Sequence, residues 1–185
     1  MSKVISNDGG MSMKEYFESI KRRDPAARSV LQIVLLYPGV QAVFWYRIAH
    51  FLYGIKLKFI AELMMFTVRC LLNIEIHPAA KIGKRLFIDH GTGVVIGATS
   101  VVGDDVTLFH GVTLGGVGRE ELLRKRHPTV EDRVMIGAGA KILGNVTLGK
   151  GSFIGANAVV IKDVPPHATA VGVPSVIKGV SAKDS

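Results

Sequence analysis

Three side chains in this sequence stand at spacings from which proton transfer can be run: His90, His110 and Glu75. An imidazole titrates close to neutrality, so it can take a proton from a hydroxyl and later return it. Each histidine is the second residue after an aliphatic one, Ile88 and Leu108, and Glu75 stands just before another, Ile76. A carboxylate placed there could orient an imidazole and stabilise its cation. Read from spacing alone, a solvated surface histidine is the commoner case. A second set is basic: Arg119, Arg124, Lys125 and Arg126 share one stretch, which suits a ligand with several phosphates or an ordinary solvated face.

The element that must position these groups is a repeat. From Ile76 an aliphatic residue returns every sixth position, often followed by glycine: Ile82, Ile88, then Ile96, Val102, Leu108 and Leu114, then Ile136, Ile142, Leu148, Ile154 and Val160. Neither a helical face nor a strand repeats at six. A short strand and a tight turn do, and three such units make one triangular coil of a solenoid. Small or β-branched residues two places earlier (Ser100, Val106, Val112, Ala140, Val146, Ser152, Ala158) supply a second inward position. The phase slips twice, by two residues at His90 and by a longer insertion assigned to a loop over 116–133. With one slip between them, His90 and His110 should lie on one edge of adjacent coils, about 4.8 Å apart in backbone.

Ahead of the solenoid the pattern is helical. Residues 11–23 read as a short amphipathic helix. Asp24-Pro25 reads as the N-cap and first turn of a second helix running to Leu36. Tyr37-Pro38-Gly39 reads as a turn, with further helices over 40–53 and 57–72. Lys58, Glu62 and Arg69 interrupt the last of these, which argues against a membrane span. The resulting class is α+β: a helical region (1–73), a left-handed parallel β-helix (74–165) and a tail (166–185). The first ten residues are polar and show no signal peptide, which points to a cytoplasmic address. Cys70, the single cysteine, excludes an intrachain disulfide, fits a reducing compartment and reads as a small buried hydrophobe. A formal charge of +8 would permit a nucleic-acid partner, but the repeats carry few aromatic residues for stacking and no binding motif.

Several motifs, in order, resemble the serine O-acetyltransferase family in its short form: Asp24-Pro25-Ala26, Tyr46-Arg47-Ile48-Ala49-His50, Ile74-Glu75-Ile76-His77-Pro78, Ile88-Asp89-His90-Gly91, Val112-Thr113-Leu114-Gly115-Gly116, Arg126-His127-Pro128 and the run Ile136 to Gly144. The resemblance covers about residues 24–177 and implies transfer of acetyl from acetyl-CoA to L-serine, the first step of cysteine biosynthesis. It makes His90 the general base and Glu75 its carboxylate partner. Arg126 and His127 match residues that hold the substrate carboxylate. Asp24 and Asp89 match residues around the amino group. The pantetheine arm of acetyl-CoA would pass Gly116, Ala138 and Ala156, in a groove completed by a neighbouring subunit of a homotrimer, with larger assembly through the helices open. No metal is implied.

The sequence departs from the family in two places. Gly97-Ala98-Thr99 stands where many members have Gly-Glu-Thr, and Phe109-His110-Gly111 where many have Phe-Gln-Gly. His110 could touch substrate or, when protonated, oppose protonation of His90. The tail, ending Lys183-Asp184-Ser185, lacks the terminal isoleucine through which relatives dock into O-acetylserine sulfhydrylase, so no stable complex of that kind is expected. Acyl transfer to a sugar or another amine remains a rival, and so does a zinc hydratase on the same solenoid with His90, His110 and His127 as ligands. That second family expects two histidines five apart, which this chain does not have.

Overall fold

The structure, a computed structural model, describes residues 12–118 and 124–180. Residues 1–11, Arg119 of the basic stretch and the terminal Lys183, Asp184 and Ser185 lie outside the described residues. Four helices come first: α1 (Met13–Arg23), α2 (Val30–Leu36), α3 (Pro38–Gly54) and α4 (Lys58–Leu72). Asp24 is not the N-cap of α2 but the C-cap of α1, its N–H donating to the Ile20 carbonyl. The N-cap of α2 is Ser29, whose hydroxyl accepts from the Gln32 N–H. Pro38 does not sit in a turn; it opens α3, where its fixed φ suits a first helical turn and no donor is lost. Cys70 lies exposed on α4, which corrects its reading as a buried residue.

The solenoid follows. Its first coil is β1 (Ile74–Ile76), β2 (Lys81–Ile82) and β3 (Phe87–Ile88); its second is β4 (Val94–Ile96), β5 (Val101–Val102) and β6 (Thr107–Leu108). The third begins with β7 (Thr113–Gly115) and resumes after the inserted loop with β8 (Thr129–Val130) and β9 (Met135–Ile136). Then come β10 (Lys141–Leu143), β11 (Thr147–Leu148) and β12 (Phe153–Ile154), a last partial coil of β13 (Val159–Val160) and β14 (Ala168–Val171), and β15 (Val176–Val180), which folds back antiparallel on β14. The coils stack in parallel into three faces, forming the left-handed β-helix. On one face Ile76, Ile96, Leu114, Ile142 and Val160 are in register, and all five are buried. Each contributes roughly 1.5–3 kcal/mol by leaving water. The earlier inward positions are buried as their size suggests, from Ser100 to Ala158.

Two boundaries differ from the pattern of sixes. Val130 is an anchor in register with Val102 and Leu148, so β8 lies inside the stretch 116–133 assigned to loop. Solenoid pairing also continues past residue 165, because β14 pairs with β12 and buries Ala168 and Ala170.

The first coil has no coil before it, so its carbonyls need other donors. α3 provides them. The buried Tyr46 hydroxyl donates to the Ala80 carbonyl at 2.5 Å. Arg47 donates to the Ile82 and Gly83 carbonyls, and His50 Nδ1 lies 2.7 Å from the Pro78 carbonyl. At the other end of the helical region, Arg23 pins α1 to the first and second coils: its guanidinium donates to the carbonyls of Arg85, Asp105 and Val106 and to the Thr107 hydroxyl. Among the described residues no helix is long and apolar enough to cross a membrane.

Candidate active site

His90 stands where the coil is two residues too long. Ile88 pairs with Leu108, and Leu108 with Ile136, which pairs with Ile154. Residues 90, 110, 138 and 156, each the second after one of these anchors, therefore form a column along one edge: two imidazoles and then the methyl groups of Ala138 and Ala156. The extra residues of the first coil are taken up by left-handed backbone at His90 (φ 59), Gly91 (φ 83) and Gly93 (φ 77). At Gly91 a side chain would be strained by the left-handed backbone and its Cβ would fall 2.5 Å from Ile74 Cδ1, which would have to move. The Gly93 N–H donates to the Asn73 carbonyl at 2.7 Å, anchoring the turn. This lifts His90 clear of the coil, with 73% of its side chain exposed. The His110 ring stands edge-on to it, centroids 5.9 Å apart at 79°, as the shared edge requires.

One carboxylate lies beside it, and a second faces the Tyr37 phenol that both influence. Asp89 Oδ2 lies 3.9 Å from His90 Nε2. Asp24 arrives from the end of α1, its Oδ1 accepting from the Ala26 N–H at 2.8 Å and its Oδ2 from the Tyr37 hydroxyl at 2.5 Å. Tyr37, at the joint of α2 and α3, stacks on Phe87 at 6.4 Å. Partial burial first, then the hydrogen bond to Asp24 and the charges of Asp24 and Asp89, push its phenol up to about 12. Glu75 belongs to the same edge by backbone, two residues from Asn73, but its carboxylate pairs with Arg69 at 3.1 Å. In this chain the carboxylate set beside His90 is thus Asp89, and Glu75 is held by α4.

Arg126 and His127 stand elsewhere, where the inserted loop rejoins the solenoid at the corner after β4 and β7. His127 is buried, its ring lying on Gly97 so closely that a Cβ there would sit 2.1 Å from it. The Thr99 hydroxyl accepts the N–H groups of both Arg126 and His127 at 3.0 Å, and lies 2.8 Å from His127 Nδ1. The Thr99 N–H also donates to that nitrogen, making Nδ1 the acceptor and placing the ring proton on Nε2. Lys125 spends its ammonium on the carbonyls of Thr99, His127 and Pro128. Burial holds its pKa below the ordinary lysine range. Lys125 therefore closes the loop and is not part of a polyphosphate site. Gly116 marks the root of the same loop, away from the column of Ala138 and Ala156.

One strand of the first face separates this corner from His90. From Gly93 to Gly97 the backbone spans roughly 13 Å at about 3.3 Å per residue. Within one chain His127 is therefore no third ligand to His90 and His110, and among the described residues no three His, Cys, Asp or Glu side chains converge on a metal-sized site. Tyr37 and Thr99 are the residues of these two corners that the sequence alone does not single out. Tyr37 reads as a turn residue before proline, and Thr99 binds residues 27 and 28 positions away.

A solenoid of six-residue repeats with an exposed imidazole on its edge and acidic groups beside it defines a class, the hexapeptide acyltransferases. The model for the bacterial transferase hexapeptide (six repeats) matches residues 127–162. Serine acetyltransferase of Bacillus pumilus is 53% identical over 162 residues, 88% of this chain and 74% of its own length. That of Helicobacter pylori is 54% identical over 155 residues, 84% of this chain and 90% of its own. The crystal structure of serine acetyltransferase in complex with coenzyme A from Brucella abortus superposes with a TM-score of 0.88 at 42% identity, covering 91% of this chain and 67% of that one. This chain belongs to the serine acetyltransferase family. Its reaction is acetylation of the hydroxyl of L-serine, and the product, O-acetylserine, enters cysteine biosynthesis.

Proposed function

We infer that the edge bearing His90 carries out direct acetyl transfer from acetyl-CoA to L-serine, with His90 as general base. The observation that carries this reading is the column itself: an exposed imidazole continued by His110, Ala138 and Ala156, with Asp89 beside it and Asp24 bonded to Tyr37, whose phenol feels both carboxylates. The methyl groups leave a low path along which a pantetheine arm reaches His90, and the Brucella relative was crystallised in complex with coenzyme A. His90 removes the serine hydroxyl proton as the oxygen attacks the thioester carbonyl. The tetrahedral intermediate then collapses, the C–S bond breaks, and the CoA sulfur recovers the proton from His90. No acetyl-enzyme is needed. Asp24 and Asp89 receive the serine ammonium. Glu75 orients His90 once it leaves Arg69. No metal takes part in this reading.

Arg126, half-exposed, contacts the serine carboxylate through its planar fork. His127, committed to Gly97 and Thr99, fixes the peptide that carries Arg126. Because a strand separates Arg126 from His90 in one chain, the carboxylate clamp is contributed by the neighbouring subunit of a homotrimer. Gly116, at the loop root, then faces the donor from that side. The helical region exposes Phe44, Trp45, Phe51, Phe59 and Phe66, which are available to further subunit contacts.

The test is the rate of CoA thiol release from acetyl-CoA with L-serine, L-homoserine and a simple sugar, for the native protein and His90→Ala. Serine-dependent release should fall by about 10²–10⁴-fold in His90→Ala, the usual contribution of a general base. Release that persists in His90→Ala, or that prefers another acceptor, would overturn the reading.

A further inference from the structure

Asp24 is the one acidic group of the acceptor site that the solenoid does not carry. It ends α1, and repeat geometry does nothing to set its distance from Asp89 and His90. The bond that crosses from its segment to the site comes from Tyr37, thirteen residues on, at 2.5 Å. Tyr37 is itself fixed to the solenoid twice. Its ring stacks on Phe87, which precedes Asp89 by two residues on the strand leading to His90. Its backbone leads into α3, where Gly39 lies so close to Ile88 that a Cβ would sit 2.1 Å from the Ile88 carbonyl oxygen. We propose that Tyr37 is a positioning residue of the acceptor site: its hydroxyl holds Asp24 at the distance from Asp89 at which both carboxylates can receive the α-ammonium of serine. The proposal rests on the reading of Asp24 and Asp89 as the ammonium partners.

The physical need is specific. Without an acceptor bound, two carboxylates at one site repel, and Asp24, on a short segment between helices, is the one free to withdraw. A phenol has one proton to give, and here it goes to Asp24 Oδ2 while the Ala26 N–H occupies Oδ1. Each oxygen keeps a further lone pair for the incoming ammonium. The phenol pKa of about 12, raised first by partial burial, keeps Tyr37 a donor throughout the working range of the enzyme. Arg23 supports the arrangement from behind by fixing the end of α1 to the first and second coils.

The decisive variant is Tyr37→Phe, which keeps the ring on Phe87 and removes only the hydroxyl. Thiol-release kinetics should show the KM for L-serine raised about tenfold, which is what loss of one hydrogen bond to a charged group amounts to. The KM for acetyl-CoA should be unchanged, kcat should change less than the KM for serine, and the melting temperature should stay close to native. Asp24→Asn should raise the serine KM at least as much, and the double variant should be no worse than Asp24→Asn alone, since Tyr37 acts through Asp24. If Asp24→Asn raises the serine KM and Tyr37→Phe does not, or if the two effects simply add, the positioning role is wrong while the ammonium reading stands. If Tyr37→Phe harms both substrates together with the melting temperature, its role is structural and the proposal falls. If Asp24→Asn leaves the serine KM unchanged, the ammonium reading fails and takes the proposal with it.

Discussion

At the scale of single residues, the two corners are built by different logics, and only one is written locally. His90 could be placed because it is counted from Ile88, and the same count put His110 beside it, as the ring geometry confirms. Asp24 could not. Asp-Pro before an apolar run reads as a helix start, yet Ser29 takes that role, and Asp24 is left to accept hydrogen bonds from Ala26 and Tyr37. The loop corner was hidden for another reason: the Thr99 hydroxyl and Gly97 matter only through His127, brought to them from the far side of an insertion. Gly97 gives the sharpest test. A Cβ there would overlap the His127 ring, and neither the ring nor the strand below can yield without opening the Thr99 clasp. Gly97→Ala should cost about 1–3 kcal/mol by overpacking. Since the displaced peptide carries Arg126, the serine KM should rise more than the acetyl-CoA KM. Denaturant unfolding and paired KM measurements would check both; a native serine KM would show that the clasp does not position Arg126.

At the scale of elements, the joint between helices and solenoid governs whether the first coil, and with it His90, is held. The period of six showed the coils but not this joint, because Tyr46, Arg47 and His50 satisfy carbonyls on a strand edge that has no repeat of its own. The same period missed Val130 because the insertion broke the count, and missed β14 because Ala168 and Ala170 are too small to read as anchors. His77 sits in the joint, after β1, with its ring against Tyr53 of α3 at 5.9 Å. Its Nδ1 accepts from the Ala79 N–H at 3.0 Å. Burial lowers its pKa; Glu62 and Glu75 oppose that shift and Arg126 adds to it. Above the unfolded value of about 6.5 both states are neutral at this site and it contributes no pH dependence. As the pH falls through 6.5, the unfolded chain binds the proton first and the folded state loses stability, until folded His77 protonates as well. The native melting temperature should therefore fall between pH 7.5 and 5.5 by more than that of His77→Asn, whose amide oxygen can still accept from Ala79. Parallel melting curves would show against the idea.

At the scale of the whole molecule, the separation of His90 from Arg126 is the fact that has to be accommodated. Within one chain the residues proposed as base and ammonium partners and those proposed as the carboxylate clamp stand at different corners, a strand of roughly 13 Å apart. A serine molecule is far shorter than that, so a single chain does not surround its substrate. In the homotrimer we propose, cyclic packing of identical solenoids sets one subunit's first corner against the next subunit's second. The arrangement makes a prediction that no single-chain site shares. His90→Ala and Arg126→Ala should each be nearly inactive at low serine concentration. Unfolded together in equal amounts and refolded, they form mixed trimers in which about one site in four draws His90 and Arg126 from the subunits that still have them, by random assortment around the three-fold ring. Serine-dependent thiol release should return to about a quarter of the native rate, whereas the two variants refolded separately and then mixed should stay inactive. If co-refolding restores nothing while sedimentation shows trimers, then His90 and Arg126 act within one chain, and the loop must swing across β4 to reach the acceptor.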